Sequence, residues 1–278
     1  MSDIANNDRE FEFTNADFTR IRELIYRHAG ISIAATKVDM VYGRVARRLR
    51  AVGLQSFKRY LDQLEQTNDP AEWQNFTNAL TTNLTSFFRE QHHFTILSDY
   101  LKRLKRPIRI WCSAASTGEE PYSIAMTVCD AFGSLTPPAQ IIATDIDTSV
   151  LEIAQRGVYE MNRIESINEA YRKKYFLRGS GSNSGYVKVA KELQSLVTFQ
   201  QLNLLSPQWT VKEQFDIIFC RNVLIYFDKP SQHKILDRFV PLMKSDALLF
   251  VGHSENFLYS SKAFKSFGKT VYQLNQQR

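Results

Sequence analysis

The chain has 278 residues, 44% of them hydrophobic, and carries 35 Lys and Arg against 29 Asp and Glu, a formal charge of +6. That length supports one large domain or two modest ones, and a core that needs no disulfide or metal staple. The charge is mild, so acidic partners are allowed but not demanded, and the most apolar runs, such as Ala247 to Val251, are too short to span a bilayer. The N-terminal MSDIANNDREFEF is acidic and polar, so no signal peptide is expected. Cys112, Cys129 and Cys220 form no C-x-x-C pair and sit among apolar residues, which predicts buried free thiols in a reducing cytoplasm.

The first third reads as helical. Phe18, Ile21, Ile25 and His28 fall at helix spacing after Asn15, the expected N-cap. A second helix is expected over Val38 to Val52. Val38, Val41, Val45, Leu49 and Val52 make its apolar stripe, and Arg44, Arg47, Arg48 and Arg50 its other side. A third starts near Ser56, with Phe57, Tyr60, Leu61 and Leu64 on one face. Asp69-Pro70 then breaks the chain before a helical stretch with Trp73, Phe76 and Leu80.

From Arg109 the period changes. Ile108 to Cys112, Gln140 to Thr144, Phe215 to Cys220 and Ala247 to Val251 are apolar runs without alternation, as in strands buried on both faces of a parallel sheet. Helical segments separate them: Tyr122 to Phe132, Ser149 to Gln155 and Ser231 to Met243. The alternation predicts an α/β fold with a doubly wound sheet. Thr270 to Leu274 alternates and is expected as an edge strand. Between Tyr175 and Phe199 the pattern fails: Tyr186, Val187 and Val189 follow a Gly/Ser-rich loop, and Leu196 to Phe199 is a second β-prone run. This predicts a small antiparallel β insertion at about 175–199. With a boundary between Phe88 and Pro107, the expected organisation is an all-helical N-terminal domain over 1–95 and an α/β domain over 96–278.

Four segments carry candidate chemistry. IRIWCSAASTGEEPYSIA (108–125) runs from a strand through small residues into a helix. Ala114, Ala115, Ser116 and Gly118 allow close approach of a ligand, and the helix N-terminus favours an anion such as a carboxylate. Glu120 could accept hydrogen bonds from an amino group, although an ordinary strand–helix turn also accounts for the segment. Asp145, at the end of the QIIAT strand, is placed like the acids that bind ribose hydroxyls; Asp147 could be a cap only. FDIIFCRNVLIYF (215–227) delivers Arg221, Asn222 and Tyr226 at a strand's carboxyl end, where open α/β sheets bind ligands; Tyr226 fits a packed aromatic equally well. TTNLTSFFRE (81–90), with Asn83, Thr85 and Arg89, reads from physics alone as a polar turn opening a helix. His92-His93 lacks metal-ligand spacing, so no metal is expected.

TTNLTSFFRE, CSAASTGEEPYSIA, ATDID, FCRNVLIYF and GHSENF, in that order, resemble the motif set of the chemotaxis receptor methyltransferases, the CheR family. The resemblance spans essentially the whole chain and shares the family's Gly118 in place of a Gly-x-Gly-x-Gly run. It implies an all-helical N-terminal domain and a class I methyltransferase domain that uses S-adenosylmethionine. By motif match, Asn83, Thr85, Arg89, Glu120, Asp145, Asn203, Leu204, Arg221 and Asn222 would line the cofactor pocket. Arg89 and Tyr226 would stand nearest the transferring methyl group. The implied reaction esterifies glutamates of bacterial chemoreceptors. The implied partners are the receptor's acidic methylation region, facing Arg44, Arg47, Arg48 and Arg50, and the receptor's C-terminal peptide, docked on the β insertion.

Two other functions stay open. A nucleic-acid methyltransferase fits the net charge, but RNVLIY (221–226) lacks the proline of an Asn/Asp-Pro-Pro-aromatic motif and stacking aromatics in a basic groove are missing. A non-catalytic binding module is disfavoured by intact Arg89 and Tyr226.

Overall fold

A computed structural model describes residues 9–104, 106–255 and 262–275, so Asn256 and Phe257 of the GHSENF segment lie outside the described residues. Contacts divide the chain into two units, Met1–Thr82 with Tyr226–Asp228, and Asn83–Ile225 with Lys229–Arg278. The sequence places the boundary near residue 95; the units part at Thr82 and Asn83.

Among its described residues the first unit is built of α1 (Asn15–Ala29), α2 (Val38–Val52), α3 (Phe57–Thr67) and α4 (Pro70–Leu80). The cap of α1 is Thr14, not Asn15. The Thr14 hydroxyl accepts the Asp17 N–H and the Asp17 carboxylate accepts the Thr14 N–H, a reciprocal box that Asn15 cannot form from inside the helix. Ser56 caps α3, and Asp69 caps α4 with Pro70 in the first turn. Phe18, Ile21, Leu24 and Ile25 of α1 are buried with Val41, Val45 and Leu49 of α2 and Tyr60, Leu61 and Leu64 of α3. Each such side chain contributes roughly 1.5–3 kcal/mol of hydrophobic stabilisation. His28 is exposed and stacks on Trp73, with ring centroids 4.5 Å apart.

The arginines of α2 divide by task. Arg44 donates to the Leu80 and Thr81 carbonyls at 2.9 and 2.5 Å, closing the C-terminus of α4. Arg48 forms a two-pronged pair with Glu72. Both are half-buried and hold the helices together, so the four arginines expected on one side of the helix are not equally open to a partner. Arg47 and Arg50 are exposed; Arg50 pairs with Glu10 at 2.6 Å.

The second unit opens with α5 (His92–Leu101). It continues β1 (Ile108–Cys112), α6 (Glu119–Phe132), β2 (Ala139–Asp145), α7 (Thr148–Arg156), β3 (Val158–Glu160), α8 (Glu169–Tyr175), β4 (Phe176–Arg178), β5 (Tyr186–Val189), α9 (Lys191–Leu196), β6 (Val197–Gln201), β7 (Phe215–Cys220), α10 (Lys229–Phe239), β8 (Met243–Val251), β9 (Phe264–Gly268) and β10 (Val271–Leu274). Seven strands form one sheet in the order β6-β2-β1-β7-β8-β10-β9, parallel from β6 to β8 and antiparallel beyond. Every residue of β7 is buried, as the unalternating run FDIIFC requires.

The expectations for three segments need correction. Val197–Gln201 is not part of a hairpin; it pairs parallel with β2 at the edge of the large sheet. The small antiparallel sheet is instead β3-β5-β4, its first strand lying before the expected insertion. The closing strand β10 is internal, because β9 pairs along its far side. The helix expected to reach Met243 ends at Phe239: Pro241 cannot continue it, and Met243 already pairs with Phe215.

From β1 the chain winds outward to β2 and β6, then returns across β1 to build β7 and β8. The reversal between β1 and β7 is the topological switch point, where open α/β sheets form a crevice at the strands' carboxyl ends.

Candidate active site

The carboxyl ends of β1, β2, β6 and β7 gather the loops beginning at Ser113, Ile146, Leu202 and Arg221. The first loop is pinned between neighbours: the Ser113 N–H donates to the Phe219 carbonyl and the Ala115 N–H to the Thr144 carbonyl, both at 2.8 Å. Ser116 adopts φ 47° and Gly118 φ 100°. A Cβ on Gly118 would lie 2.6 Å from the Tyr159 hydroxyl, so only glycine lets α6 start there.

Asp145 ends β2. Its carboxylate accepts the Ser116 N–H at 2.8 Å and the Asp147 N–H at 3.0 Å. Burial pushes its pKa up to about 6, against the pull of those N–H groups. Asp147 caps α7 through the Ser149 and Val150 N–H groups and also accepts the Asn83 side-chain amide at 2.7 Å, tying the segment before α5 to this edge. Asn203 and Leu204 follow β6, whose end is held to β2 by the Leu202 N–H on the Asp145 carbonyl at 2.9 Å. The Asn203 side chain accepts the Leu205 N–H, and Leu204 is buried.

Arg221 and Glu120 meet across the switch point at 2.6 Å, 101 residues apart in sequence. The Arg221 side chain is fully buried; it also lies 3.3 Å from Glu90 and donates to the Arg89 carbonyl. Burial raises the pKa of Glu120 and Arg221 opposes it. The other oxygen of Glu120 accepts the Cys112 thiol at 3.3 Å, so this buried cysteine touches the site, which its apolar setting in the sequence did not suggest. Glu90, Glu119, Arg163 and Glu255 were also missed. Arg163 pairs with Glu119 and donates to the Thr85 carbonyl at 3.0 Å, fixing the segment that bears Thr85. The signal for Glu255 was present, since it stands in GHSENF just past the carboxyl end of β8.

Arg89 is half-buried, and one of its N–H groups donates to the Leu84 carbonyl at 2.9 Å. Tyr226 belongs by its contacts to the first unit, where its carbonyl accepts the Ser32 N–H at 2.8 Å. Glu90, His92 and His93 bring ligand-type atoms within 4.8 Å of one another, a cluster not expected from the His-His pair alone. The Arg221 charge beside Glu90 opposes a cation there, and burial holds the pKa of His93 down to about 4.

The arrangement fits a nucleoside with an amino-acid tail. Asp145 is a buried carboxylate with no ion pair among the described residues, and it keeps lone pairs for hydroxyl donors. The Arg221 Nε is buried and has no hydrogen-bond partner among the described residues, a donor suited to an anionic group.

Comparison with known proteins agrees with this geometry. Residues 83–273 match the family described as CheR methyltransferase, SAM binding domain, and residues 16–81 match CheR methyltransferase, all-alpha domain. The chain is 51% identical over 268 residues to chemotaxis protein methyltransferase 2 of Pseudomonas aeruginosa, covering 95% of both chains. It is 52% identical to the chemotaxis protein methyltransferase of Salmonella typhimurium, covering 95% of this chain and 92% of that one. The Escherichia coli chemotaxis protein methyltransferase is 51% identical with the same coverage.

Proposed function

The chain belongs to the CheR methyltransferase family, and from that membership together with the site we propose that it transfers the methyl group of S-adenosylmethionine to glutamate side chains of bacterial chemoreceptors, forming methyl esters. The observation that carries the reading is Asp145, a buried carboxylate with no ion pair among the described residues, at the edge where four parallel strands deliver their loops. No helix among the described residues is long and apolar enough to cross a membrane; we place the enzyme in the cytoplasm, acting on the receptor's cytoplasmic region.

When bound, S-adenosylmethionine supplies a methyl group already activated on its sulfonium. The acceptor glutamate has an ordinary pKa of about 4.3, so it is a nucleophile at neutral pH and the chain need provide no general base. What remains for the chain is binding and alignment. Asp145 takes hydroxyl donors, with Asn203 and Leu204 beside it. Glu120 takes an amino group and Arg221 sets its orientation. Asn83, Thr85 and Asn222 line the approach. Arg89 steers the acceptor carboxylate with the N–H groups that Leu84 leaves free, and the Tyr226 hydroxyl orients one acceptor oxygen. Alignment of this kind lowers a barrier by about 7–11 kcal/mol.

The test is transfer of a tritiated methyl group to receptor-containing membranes, set beside DNA and RNA. Base-labile label in the membranes is expected. Label confined to nucleic acid would establish the nucleic-acid reading, and binding without transfer would establish a non-catalytic module. Arg89→Ala and Tyr226→Phe should each lower the initial rate by at least about 10-fold at saturating cofactor, about 1.4 kcal/mol of barrier, while unfolding transitions stay near wild type. Normal rates in both would remove them from the methyl-transfer side.

We assign the receptor contacts to two surfaces. Arg47 and Arg50, the exposed arginines of their helix, meet the acidic methylation region, with Arg44 and Arg48 bracing the helix behind them. The three-stranded sheet docks the receptor's C-terminal peptide on an edge, β3 or β4, near exposed Val158, Leu177 and Tyr186. Arg47→Glu with Arg50→Glu should raise the Michaelis constant for receptor, most at low salt, and leave S-adenosylhomocysteine affinity alone. Receptor C-terminal peptides should bind with micromolar affinity, about 7–8 kcal/mol, in calorimetry. A chain shortened in the loop 179–185 should lose that heat. Unchanged receptor kinetics would make the arginine face a solvated surface, and no heat from any peptide would make the sheet a structural insertion.

A further inference from the structure

We propose that Glu255 is a positioning residue of this site: its carboxylate pins the turn after β7 to the turn after β8 and thereby aims the Asn222 side chain. The inference rests on the assignment of Asn222 to the cofactor pocket. Glu255 is 5% exposed and has no ion pair among the described residues. Backbone N–H groups hold it instead. Its Oε2 accepts the Gly252 N–H at 2.6 Å and the Asn222 N–H at 2.7 Å, and its Oε1 accepts the Ile225 N–H at 3.3 Å. Two of those donors lie in the turn after β7 and one in the turn after β8, so one side chain fixes both, and β7 and β8 are parallel neighbours in the sheet.

The need for such a pin is visible in the backbone. Asn222 sits at φ 57°, in the left-handed region, which costs any residue with a Cβ although asparagine tolerates it better than most. With its N–H held, Asn222 extends its side-chain amide to Glu90 Oε1 at 3.3 Å. The His253 N–H reaches the same oxygen at 3.3 Å, so the two turns are joined a second time. The space is closed from behind. A Cβ on Gly252 would stand 2.4 Å from the Asn222 side-chain nitrogen and 2.7 Å from Glu255 Oε2. Burial raises the pKa of Glu255, and the backbone N–H groups of Gly252, Asn222, Ile225 and Leu224 oppose that rise. A buried carboxylate that backbone amides of two loops satisfy among the described residues acts on the placement of those loops, because displacing either loop strands its oxygens.

Glu255→Gln keeps the length of the side chain but turns an NH2 group toward N–H donors. In the full-length chain, S-adenosylhomocysteine affinity is measured by calorimetry, initial rates with receptor membranes give kcat and KM, and thermal unfolding reports the fold. Glu255→Gln should fold and lose at least about 10-fold in cofactor affinity or in kcat/KM, the loss expected when one charge-assisted hydrogen bond fails. Gly252→Ala, which displaces the same two side chains, should move the same parameter in the same direction, and it carries the test if Glu255→Gln does not fold. The variant Asn222→Ala with Glu255→Gln should be no worse than Asn222→Ala alone. Normal affinity and rate in folded Glu255→Gln, or additive losses in the double variant, overturn the proposal. Failure of the wild type to bind S-adenosylhomocysteine would instead overturn the pocket assignment beneath it. A normal Asn222→Ala beside a damaged Glu255→Gln would show that Glu255 does not act through Asn222.

Discussion

Arg221→Leu is expected to destabilise the second unit by about 3–5 kcal/mol, the usual cost of removing one partner from a buried ion pair. The Arg221 side chain has no solvent exposure, and it lies 2.6 Å from Glu120 and 3.3 Å from Glu90. Without it, two carboxylates share an apolar crevice under Phe94, and one of them, Glu120, is already driven toward its neutral form by burial. The Arg89 carbonyl would lose its donor as well. Urea denaturation measures the effect: the midpoint should fall with little change in slope. Adding Glu120→Gln should recover part of the loss, since it removes one of the stranded charges. A single variant within 1 kcal/mol of wild type, against the cost expected for a stranded buried charge, would mean that solvent reaches this crevice and that the pair is not what holds it.

Asp145→Ala should weaken S-adenosylhomocysteine binding by about 1.5–3 kcal/mol, the worth of hydrogen bonds to a charged group. In the wild type the same carboxylate should make affinity depend on pH. Its pKa is pushed up to about 6, above the ordinary aspartate value of 3.8, chiefly by burial. The sign follows from that direction. Protonation of Asp145 stabilises the folded chain, a contribution fully present below 3.8 and lost as pH rises through about 6. Hydroxyl donors favour the ionised form, so affinity should rise with pH to a plateau above about 6 and fall below it. Calorimetry on either side of that value checks both points. In Asp145→Asn the step should vanish; a step that persists there belongs to another group, and unchanged affinity in Asp145→Ala removes this residue from the pocket.

The site was partly legible because some of its signals are local. Asp145 and Arg221 each stand at the end of an apolar run, and such runs become buried parallel strands whose carboxyl ends form the crevice. Gly118, among small residues between a strand and a helix, is legible as a point of close approach, and its φ of 100° with no room for a Cβ agrees. Glu90 and Cys112 carried no comparable mark. One is a charge in a polar turn whose partners Arg221, Asn222 and His253 arrive from remote parts of the chain, and the other a small residue inside a strand that meets Glu120 only through the turn between β1 and α6.

By itself the sequence determined the helices of the first unit, the parallel strands β1, β2, β7 and β8, and the order of the site segments. Periodicity, caps and strand ends are set by residues a few positions apart. The tertiary structure alone decided which partner each element took. β6 lies beside β2 and not in a hairpin, and β10 lies inside the sheet, because an alternating or apolar run does not encode its neighbour. Arg44 and Arg48 brace helices while Arg47 and Arg50 face solvent, because helix spacing gives a direction and not the carbonyl or carboxylate waiting there. Arg221 with Glu120 and Asn222 with Glu255 exist only once the sheet closes its order, since their geometry is a property of strand register across long separations and not of any local segment.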